Sequence, residues 1–398
     1  MKKIWSYVFI VILLLTLSPE VHAGEGTVDL SSLNIPALTK LKITTTYNNK
    51  SAIGLPRPNY EYSAHLLKLT DAPKYRILYG ARWQTDTTDG DHIKYASSKD
   101  GITWTAREIP VIKQGKNEGN SFPPEYGNRM DPTIIRWNGK YYMYYQLQMK
   151  PGDKIGVAWS TDLINWTKLN KLVVQNDPPE DQVVHPKAIR VGDEVWLYFL
   201  WLKRGIYLIK SPSPVAFDIK TAVKVTGFNG MDGSQHVVLF PNDPSRTVHV
   251  VMGHMKRPRQ PLLGFSRDGI SWITDTVSSP QIFPQQIQTV DNVFCNIASQ
   301  ANSGLDPSAG NPNLIDSVYS CATFDGASRG DQPGNVWDSD LSIGKITFED
   351  ISSLEPPLPG DLNQDGKVNI FDYNVLVSKF GNPYTIFDYN ILVANYGK

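Results

Sequence analysis

One segment near the C-terminal end of the chain has oxygen-bearing side chains at a spacing that suits a hard metal ion. Its first position is Asp361 and its twelfth is Asp372, with Gly366 at the sharp turn between them. The predicted ligands are Asp361, Asn363, Asp365, Lys367, Asn369 and Asp372, with Lys367 binding through its backbone carbonyl. Ca²⁺ needs such a cage because it takes several hard oxygen ligands at once. The spacing therefore predicts one Ca²⁺ site, in which the last ligand is Asp rather than Glu.

A second set of candidate residues comes from an internal repeat. Residues 131–142 and 185–196 match with an offset of 54, which aligns Asp131 with His185. The same alignment places Ser63 and Gln235 at the equivalent positions of two further copies. If the copies surround a common axis, these four side chains converge at one mouth of a central channel.

The residue types at this mouth fit the recognition of a sugar. Asp131 can accept hydrogen bonds from hydroxyl groups. Three roles are open for His185: a neutral donor to a hydroxyl group, a general acid near neutral pH, or a buried core residue. Trp83 follows a strand, and its flat ring suits the C–H face of a pyranose. The remaining substrate-binding candidates are Arg82, Arg129 and Asp291.

A short marker gives the period of the repeat: a Ser, an Asp two residues later, and an aromatic residue six after the Ser. It occurs at residues 98–104, 160–166 and 266–272, and a degenerate copy without the Asp lies at 211–217. The serines are therefore 62, 51 and 55 residues apart. The Asp can hydrogen-bond its own turn backbone, and Gly101 and Gly269 can adopt positive φ. The aromatic ring is expected to fill the seam between neighbouring units.

Each repeat has the size of one four-stranded antiparallel blade. Asn138-Gly139 predicts a tight hairpin turn, a third strand covers 154–160, and a fourth opens at Trp166. A period near 50 residues with four strands per unit predicts a propeller. We expect an all-β fold of five blades, over residues 60–107, 129–169, 183–223, 233–275 and 289–348. A strand over 40–47 would close the ring, and six blades are the alternative if that strand belongs to a separate unit.

The two ends of the chain differ in composition from the repeats. Residues 1–23 have the layout of a secretory signal peptide, with Lys2 and Lys3, an apolar run and a small-residue end at Ala23. Residues 24–353 form the predicted propeller domain, 354–360 a Pro-rich linker, and 361–398 a calcium-binding domain. We expect a secreted protein without membrane insertion after cleavage, and a retained signal anchor is the alternative.

Charge and cysteine content narrow the partners and the compartment. Lys and Arg together number 39, as do Asp and Glu, so the net charge gives no reason to expect nucleic acid or an anionic membrane as a partner. Cys295 and Cys321 both fall in predicted blade five. In an oxidising compartment they can form a disulfide across that blade, and two buried free thiols are the alternative.

The C-terminal domain resembles a type I dockerin, a small EF-hand-like domain of cellulosomal enzymes. The segment IFDYNVLVSKFG at 370–381 recurs as IFDYNILVANYG at 386–397, an offset of 16. Dockerins carry two loop–helix repeats, but here residues 382–385 replace the second loop. The resemblance therefore implies a truncated α-helical module with one Ca²⁺. It also implies a cohesin-like or cell-surface protein partner, and a calcium-stabilised terminal module without a partner is the alternative.

The propeller resembles the five-bladed glycoside hydrolases of families 43 and 32. The likeness is carried by the marker copies and by Asp131-Pro132 followed by NGKYYMYY. The segment 129–132 is similar to an Arg-Asp-Pro element of blade two in those families, with one residue inserted. The resemblance implies that Asp131 binds sugar hydroxyls or tunes the pKa of the acid. It also implies a base or nucleophile on blade one and an acid on blade three, where this sequence has Ser63 and His185.

Carboxyl groups close to these positions are candidates for the two missing roles, because glycoside hydrolysis normally uses a pair. Glu61 lies two residues before Ser63, and Glu180 and Asp181 precede the strand with His185. The candidate catalytic residues are thus Asp131, Glu61, Glu180 and Asp181. We expect a secreted glycoside hydrolase acting on an extracellular polysaccharide or oligosaccharide. The alternatives are a non-catalytic carbohydrate-binding propeller and a surface or assembly protein tethered through its tail.

Overall fold

The computed structural model of the chain contains a five-bladed β-propeller followed by two short helices. It describes residues 21–35, 37–48, 59–83, 91–113, 128–149, 152–174, 181–228, 233–254, 261–275, 293–294, 305–306, 314–323, 338–352, 359–362, 367–381 and 384–397. The predicted five-bladed all-β architecture is therefore confirmed.

Blades one to four are four-stranded antiparallel meanders, and their first strands lie beside one another around the axis. Blade one contains β3 (Asn59–Lys68), β4 (Tyr75–Trp83), β5 (His92–Ser98) and β6 (Trp104–Ala106). Blade two contains β7 (Arg129–Trp137), β8 (Lys140–Leu147), β9 (Lys154–Ser160) and β10 (Thr167–Val174). Blade three contains β11 (Val183–Val191), β12 (Glu194–Trp201), β13 (Gly205–Ser211) and β14 (Val223–Lys224). Blade four contains β15 (Gly233–Leu239), β16 (Val248–His254), β17 (Pro261–Ser266) and β18 (Trp272–Asp275).

Blade five is built from both ends of the propeller. Its C-terminal strands are β19 (Val293–Phe294), β20 (Leu305–Asp306), β21 (Leu314–Thr323) and β22 (Asp338–Asp350). Its N-terminal strands are β1 (Val21–Asp29) and β2 (Lys40–Asn48), and β2 pairs antiparallel with both β1 and β22. The predicted ring closure by the N-terminal strand is confirmed, and the six-blade alternative is wrong. The sequence did not predict β1, because its first three residues have the composition of a signal-peptide end.

The marker turns have the geometry that the sequence predicts. In each of the three full copies, the Asp Oδ1 accepts the backbone N–H groups two and three residues later at 2.7–2.8 Å. The residue after the Asp has φ of 77° at Gly101, 75° at Gly269 and 68° at Leu163. The Trp166 indole donates to the carbonyl of Leu163 at 2.9 Å. The fourth strand, β10, begins at Thr167, one residue later than predicted.

Apolar side chains fill the seams between blades. Trp272 of blade four packs with Trp196 and Tyr198 of blade three. Phe217, from the degenerate marker of blade three, meets Tyr144 of blade two edge-on with ring centroids 6.0 Å apart. These contacts confirm the prediction for Trp272 and Phe217. Burying one such side chain stabilises the fold by about 1.5–3 kcal/mol.

The chain ends in the helices Ile370–Ser378 and Ile386–Asn395, which confirms the duplicated helix. Each begins with a capping box, formed by Asn369 with Asp372 and by Thr385 with Asp388. Two short helices do not by themselves establish an EF-hand or dockerin-like domain. Within the described residues, no helix is both long and apolar enough to cross a membrane. Cys295 lies outside the described residues, so its disulfide with Cys321 stays a prediction.

Candidate functional site

The inner strands of blades one to four share one irregularity near their N-terminal ends. Each has a one-residue bulge in its pairing with the second strand, for example between Met130 and Thr133 in β7. In blades one to three the bulge holds Ser63, Asp131 and His185, with φ of 51°, 52° and 53°. Left-handed backbone costs a non-glycine residue about 1–2 kcal/mol, and such strain is concentrated at functional sites. A bulge re-aims the side chain that it carries, and here the three side chains contact one another.

The three bulge side chains meet at one carboxylate. Ser63 Oγ donates a hydrogen bond to Asp131 Oδ1. His185 Nδ1 lies 2.7 Å from Asp131 Oδ2. Asp131 and Ser63 are buried, whereas the His185 side chain is 33% exposed. The predicted convergence is therefore observed for three of the four aligned positions. The side chain of Gln235, in β15, lies outside the described part of the structure.

Asp131 is held as an anion. Burial alone would raise its pKa, but the charge and hydrogen bond of His185, the charge of Lys187 and the Ser63 hydroxyl outweigh burial and lower the pKa below its usual 3.8. Since both carboxylate oxygens accept hydrogen bonds, the Nδ1 proton of His185 points to Asp131. The lone pair of a neutral imidazole then lies on Nε2, on the side of the ring away from Asp131.

Hydrogen bonds between neighbouring inner strands fix this arrangement. The Ile134 amide donates to His65 Nδ1 at 3.2 Å, and the Ala188 amide donates to Thr133 Oγ1 at 3.0 Å. Both acceptors lie two residues after a bulge residue. The same type of hydrogen bond, from a backbone amide to a side chain, therefore joins blade one to blade two and blade two to blade three. Burial and the charge of Lys187 lower the pKa of His65 to about 3, which keeps this histidine neutral.

The other predicted residues are distributed more widely. Arg129 is fully buried, and its amide donates to the carbonyl of Asp91 at 2.9 Å. Asp181 Oδ2 lies 2.5 Å from Arg204 and accepts the Trp201 indole hydrogen at 3.0 Å. Glu61 lies in β3, and Arg82 and Trp83 in β4. The structure does not describe the side chains of these last three, and Glu180 and Asp291 lie outside it altogether.

Two polar residues that the sequence argument missed lie beside His185. The His185 amide donates to Gln146 Oε1 at 3.3 Å, and Gln146 Nε2 donates to Asp153 Oδ2 at 2.9 Å. Burial raises the pKa of Asp153, and this effect exceeds the lowering by its hydrogen bonds and by the charges of His185 and Lys154. A sequence signal existed, because Asp153 directly precedes the third strand of blade two just as Asp91 does in blade one.

The ends of the predicted calcium loop are close together. Asp372 is fully buried, and its carboxylate accepts the amide hydrogens of Leu362 and Asn369, each at 2.8 Å. Asp361 is also buried. Among the described residues no three His, Cys, Asp or Glu side chains form a metal site, but Asn363 and Asp365 lie outside that part. Two buried carboxylates at the two ends of one loop fit a hard cation.

Comparison with known proteins shows similarity at the level of fold. No protein-family profile and no curated protein sequence matches the chain. A family 117 glycoside hydrolase of the marine bacterium Zobellia galactanivorans is 15% identical with a TM-score of 0.52, covering 76% of this chain and 90% of that one. An N-acetylgalactosamine deacetylase of F. plautii is 13% identical with a TM-score of 0.52, covering 76% and 94%. The arabinanase Arb43A of Bacillus subtilis is 16% identical with a TM-score of 0.46, covering 78% and 98%.

The solved structures of similar fold thus include a glycoside hydrolase, the class of protein that the propeller sequence resembles. At these identities the likeness shows the fold alone. The chemistry of this chain has to be inferred from its site residues.

Proposed function

We propose that this chain is a secreted glycoside hydrolase that acts on an extracellular polysaccharide or oligosaccharide at the mouth of the propeller channel. The observation that carries the proposal is the position of Asp131, a buried anion that joins side chains from three blades at three strained bulges. Left-handed backbone at Ser63, Asp131 and His185 costs free energy of folding. Such strain is typical of sites whose function requires a side chain to be held in one orientation.

In this proposal His185 is the general base that acts on the water, and Asp131 orients the His185 ring. Asp131 holds the Nδ1 proton, which fixes the tautomer and the plane of the ring. Nε2 then takes a proton from the attacking water, a role that a positioned imidazole performs near neutral pH. Ser63 holds the second Asp131 oxygen, so the carboxylate cannot rotate away. Glu61, Glu180 and Asp181 are the candidates for the partner acid that the sequence alone offers.

Non-catalytic sugar binding is the second candidate, and one observation favours it. The bulge positions of blades one and three hold Ser63 and His185 instead of carboxyl groups, and both oxygens of Asp131 are already engaged. Ser, Asp and His side chains around a channel can bind hydroxyl groups without cleaving any bond.

The two candidates are separated by assaying the full chain on aryl glycosides and on plant and microbial polysaccharides, with sugar binding measured by calorimetry. His185→Asn keeps an amide hydrogen near the Nδ1 position but lacks Nε2, so we expect hydrolysis to fall at least about 100-fold. Asp193→Asn is the matched control, because Asp193 is fully exposed at the other end of the β11–β12 hairpin. If the wild type binds sugar but hydrolyses none, and His185→Asn weakens that binding, the protein is a sugar-binding protein and not a glycoside hydrolase.

The C-terminal module is proposed to bind one Ca²⁺ and to tether the propeller to a partner. Asp361, Asn363, Asp365, Asn369, Asp372 and the Lys367 carbonyl would hold the ion, which would neutralise the buried carboxylates and fix the loop. Equivalent positions of the two helices expose apolar rings, with Phe371 63% and Phe387 75% exposed. This surface supports a cohesin-like partner. Absence of binding to a panel of type I cohesins in the presence of Ca²⁺ would leave a module that only caps the chain.

Secretion is proposed from the N-terminal layout alone. Cleavage after Ala23 would leave residues 24–29 of β1 to pair with β2. N-terminal sequencing of chain recovered from the culture medium tests this directly, with Gly24 as the expected first residue. Recovery of the chain only in the membrane fraction would favour the retained anchor.

A further inference from the structure

A half-buried carboxyl group lies at the same end of the propeller as the bulges, one blade away from where the resemblance puts the acid. Asp153 directly precedes β9, in the loop between the second and third strands of blade two. The amide of Val183, the first residue of β11, donates to its carbonyl at 2.9 Å. This hydrogen bond holds Asp153 against β11, at a point two residues before His185.

Gln146 links the Asp153 carboxyl to His185. Its amide nitrogen donates to Asp153 Oδ2 at 2.9 Å, and its amide oxygen accepts the His185 backbone hydrogen at 3.3 Å. Gln146 is itself buried. One rigid amide group therefore sets the position of the Asp153 carboxyl relative to the imidazole.

Three of the described carboxyl groups at this end of the propeller differ in what they can do. Asp131 has both oxygens engaged and a lowered pKa, so it has no proton to give. Asp181 is paired with Arg204 at 2.5 Å. Asp153 is half-buried, and burial raises its pKa above the usual 3.8. Its carboxyl group accepts hydrogen bonds from Gln146 and from the Met149 amide, and among the described residues no cation forms an ion pair with it. A carboxyl group whose pKa is raised by burial is the kind that serves as general acid.

We propose that Asp153 is the proton donor of the site and supplies the second carboxyl group, which the inner strands lack. The inference rests on the proposed glycosidase function and names its acid. In the step, the bond between the anomeric carbon and the leaving oxygen breaks with its electron pair on that oxygen, which takes the Asp153 proton. A water oxygen bonds to the anomeric carbon, and its proton goes to His185 Nε2. Solvent then returns a proton to Asp153 and removes one from His185.

The leaving group tests this role. A dinitrophenolate leaves without protonation, whereas an alcohol or a sugar does not, so only loss of a proton donor makes the rate depend steeply on leaving-group acidity. We would measure kcat/KM of the full-length wild type, Asp153→Asn and Asp193→Asn on aryl glycosides of graded phenol acidity and on an unactivated oligosaccharide. Asp153→Asn should lose at least about 100-fold on the oligosaccharide and less than about 5-fold on the dinitrophenyl glycoside.

The pH profile gives an independent reading, because the fall in kcat/KM on the alkaline side reports deprotonation of the acid. With the dinitrophenyl substrate, the Asp153→Asn variant should not show this alkaline fall in kcat/KM. Asn has the shape of Asp and can still bond to Gln146. If it nevertheless lowers the urea midpoint, Asp153→Ser is the second variant.

An equal loss on all substrates would make Asp153 a positioning residue for His185 and overturn the inference, as would no loss at all. Both outcomes leave the proposed function standing, because the wild type is active. A wild type that hydrolyses none of the substrates would instead overturn the proposed function, and the proton-donor role with it.

Discussion

His185 Nδ1 lies 2.7 Å from Asp131 Oδ2, although the two residues are 54 positions apart and belong to neighbouring blades. The contact exists only when the inner strands of blades two and three stand in register. The Ala188 amide, which bonds to Thr133 Oγ1, sets that register two to three residues further along both strands. Packing of the seam and chemistry of the site are therefore coupled, and damage to a seam is expected to reach the Asp131–His185 pair.

The strain at the bulges is measurable at Ser63. Ser63→Ala and Ser63→Gly both remove the hydroxyl that bonds to Asp131, but only glycine adopts φ near 51° without penalty. We expect the glycine variant to have an unfolding free energy about 1–2 kcal/mol higher than the alanine variant. Urea unfolding of the two proteins measures the difference. Equal stability of the two would mean that the bulge carries no strain.

The marker turn of blade four should not tolerate a methyl group. At Gly269, with φ of 75°, a Cβ atom would lie 2.3 Å from Trp196 Cζ3 and 2.7 Å from the Tyr198 hydroxyl oxygen. Gly139 has nearly the same φ, 78°, with no atom within 4 Å of a Cβ, so it is the matched control. We expect Gly139→Ala to cost about 1 kcal/mol and Gly269→Ala about 2–5 kcal/mol, since the seam must also give way. Similar melting temperatures for the two variants would contradict this seam packing.

The buried histidines make the propeller sensitive to acid. In the seam between blades three and four, His236 Nε2 lies 2.8 Å from His249 Nδ1. Burial lowers both pKa values, that of His249 to about 4, and Lys210 lowers the latter further while Asp268 opposes it. Below pH 6.5 the unfolded chain binds protons that the folded chain does not. The unfolding free energy should therefore fall by about 1.4 kcal/mol per pH unit for each such histidine.

His249→Phe isolates one of these protons. The phenyl ring can keep the stacking on Trp196, whose ring centroid is 5.1 Å from that of His249. The variant loses stability at all pH values, because His236 loses its partner, so the informative quantity is the slope of unfolding free energy against pH. Between pH 6 and 4.5 the slope should be smaller than in the wild type, and an unchanged slope would show that His249 does not titrate on unfolding.

The sequence was sufficient for the repeat and for the aligned site positions. The markers at 98–104, 160–166 and 266–272 each contain a complete local turn, so their period shows in the residues themselves. Ser63, Asp131 and His185 could be aligned because the strands after them repeat. The repeat also aligns Asp153 with Asp91, but the roles of Gln146 and Asp153 come from contacts across strands and from burial, which raises the pKa of Asp153 and is not visible in the sequence. Likewise, β1 is defined by its partner β2 rather than by its own composition.

Calcium binding can be separated from helix capping by two equivalent residues of the duplicated helix. Asp372 and Asp388 each close a capping box, but only Asp372 is also the last predicted ligand of the loop. Each Asp→Asn change should cost about 1 kcal/mol of helix stability.

Ca²⁺ should raise the melting temperature of the module in the wild type and in Asp388→Asn, and chelation should reverse this increase. In Asp372→Asn that response should be lost, because a buried ligand carboxylate is missing. An equal calcium response in the two variants would remove Asp372 from the ligand set, and no response in the wild type would show that the loop binds no Ca²⁺.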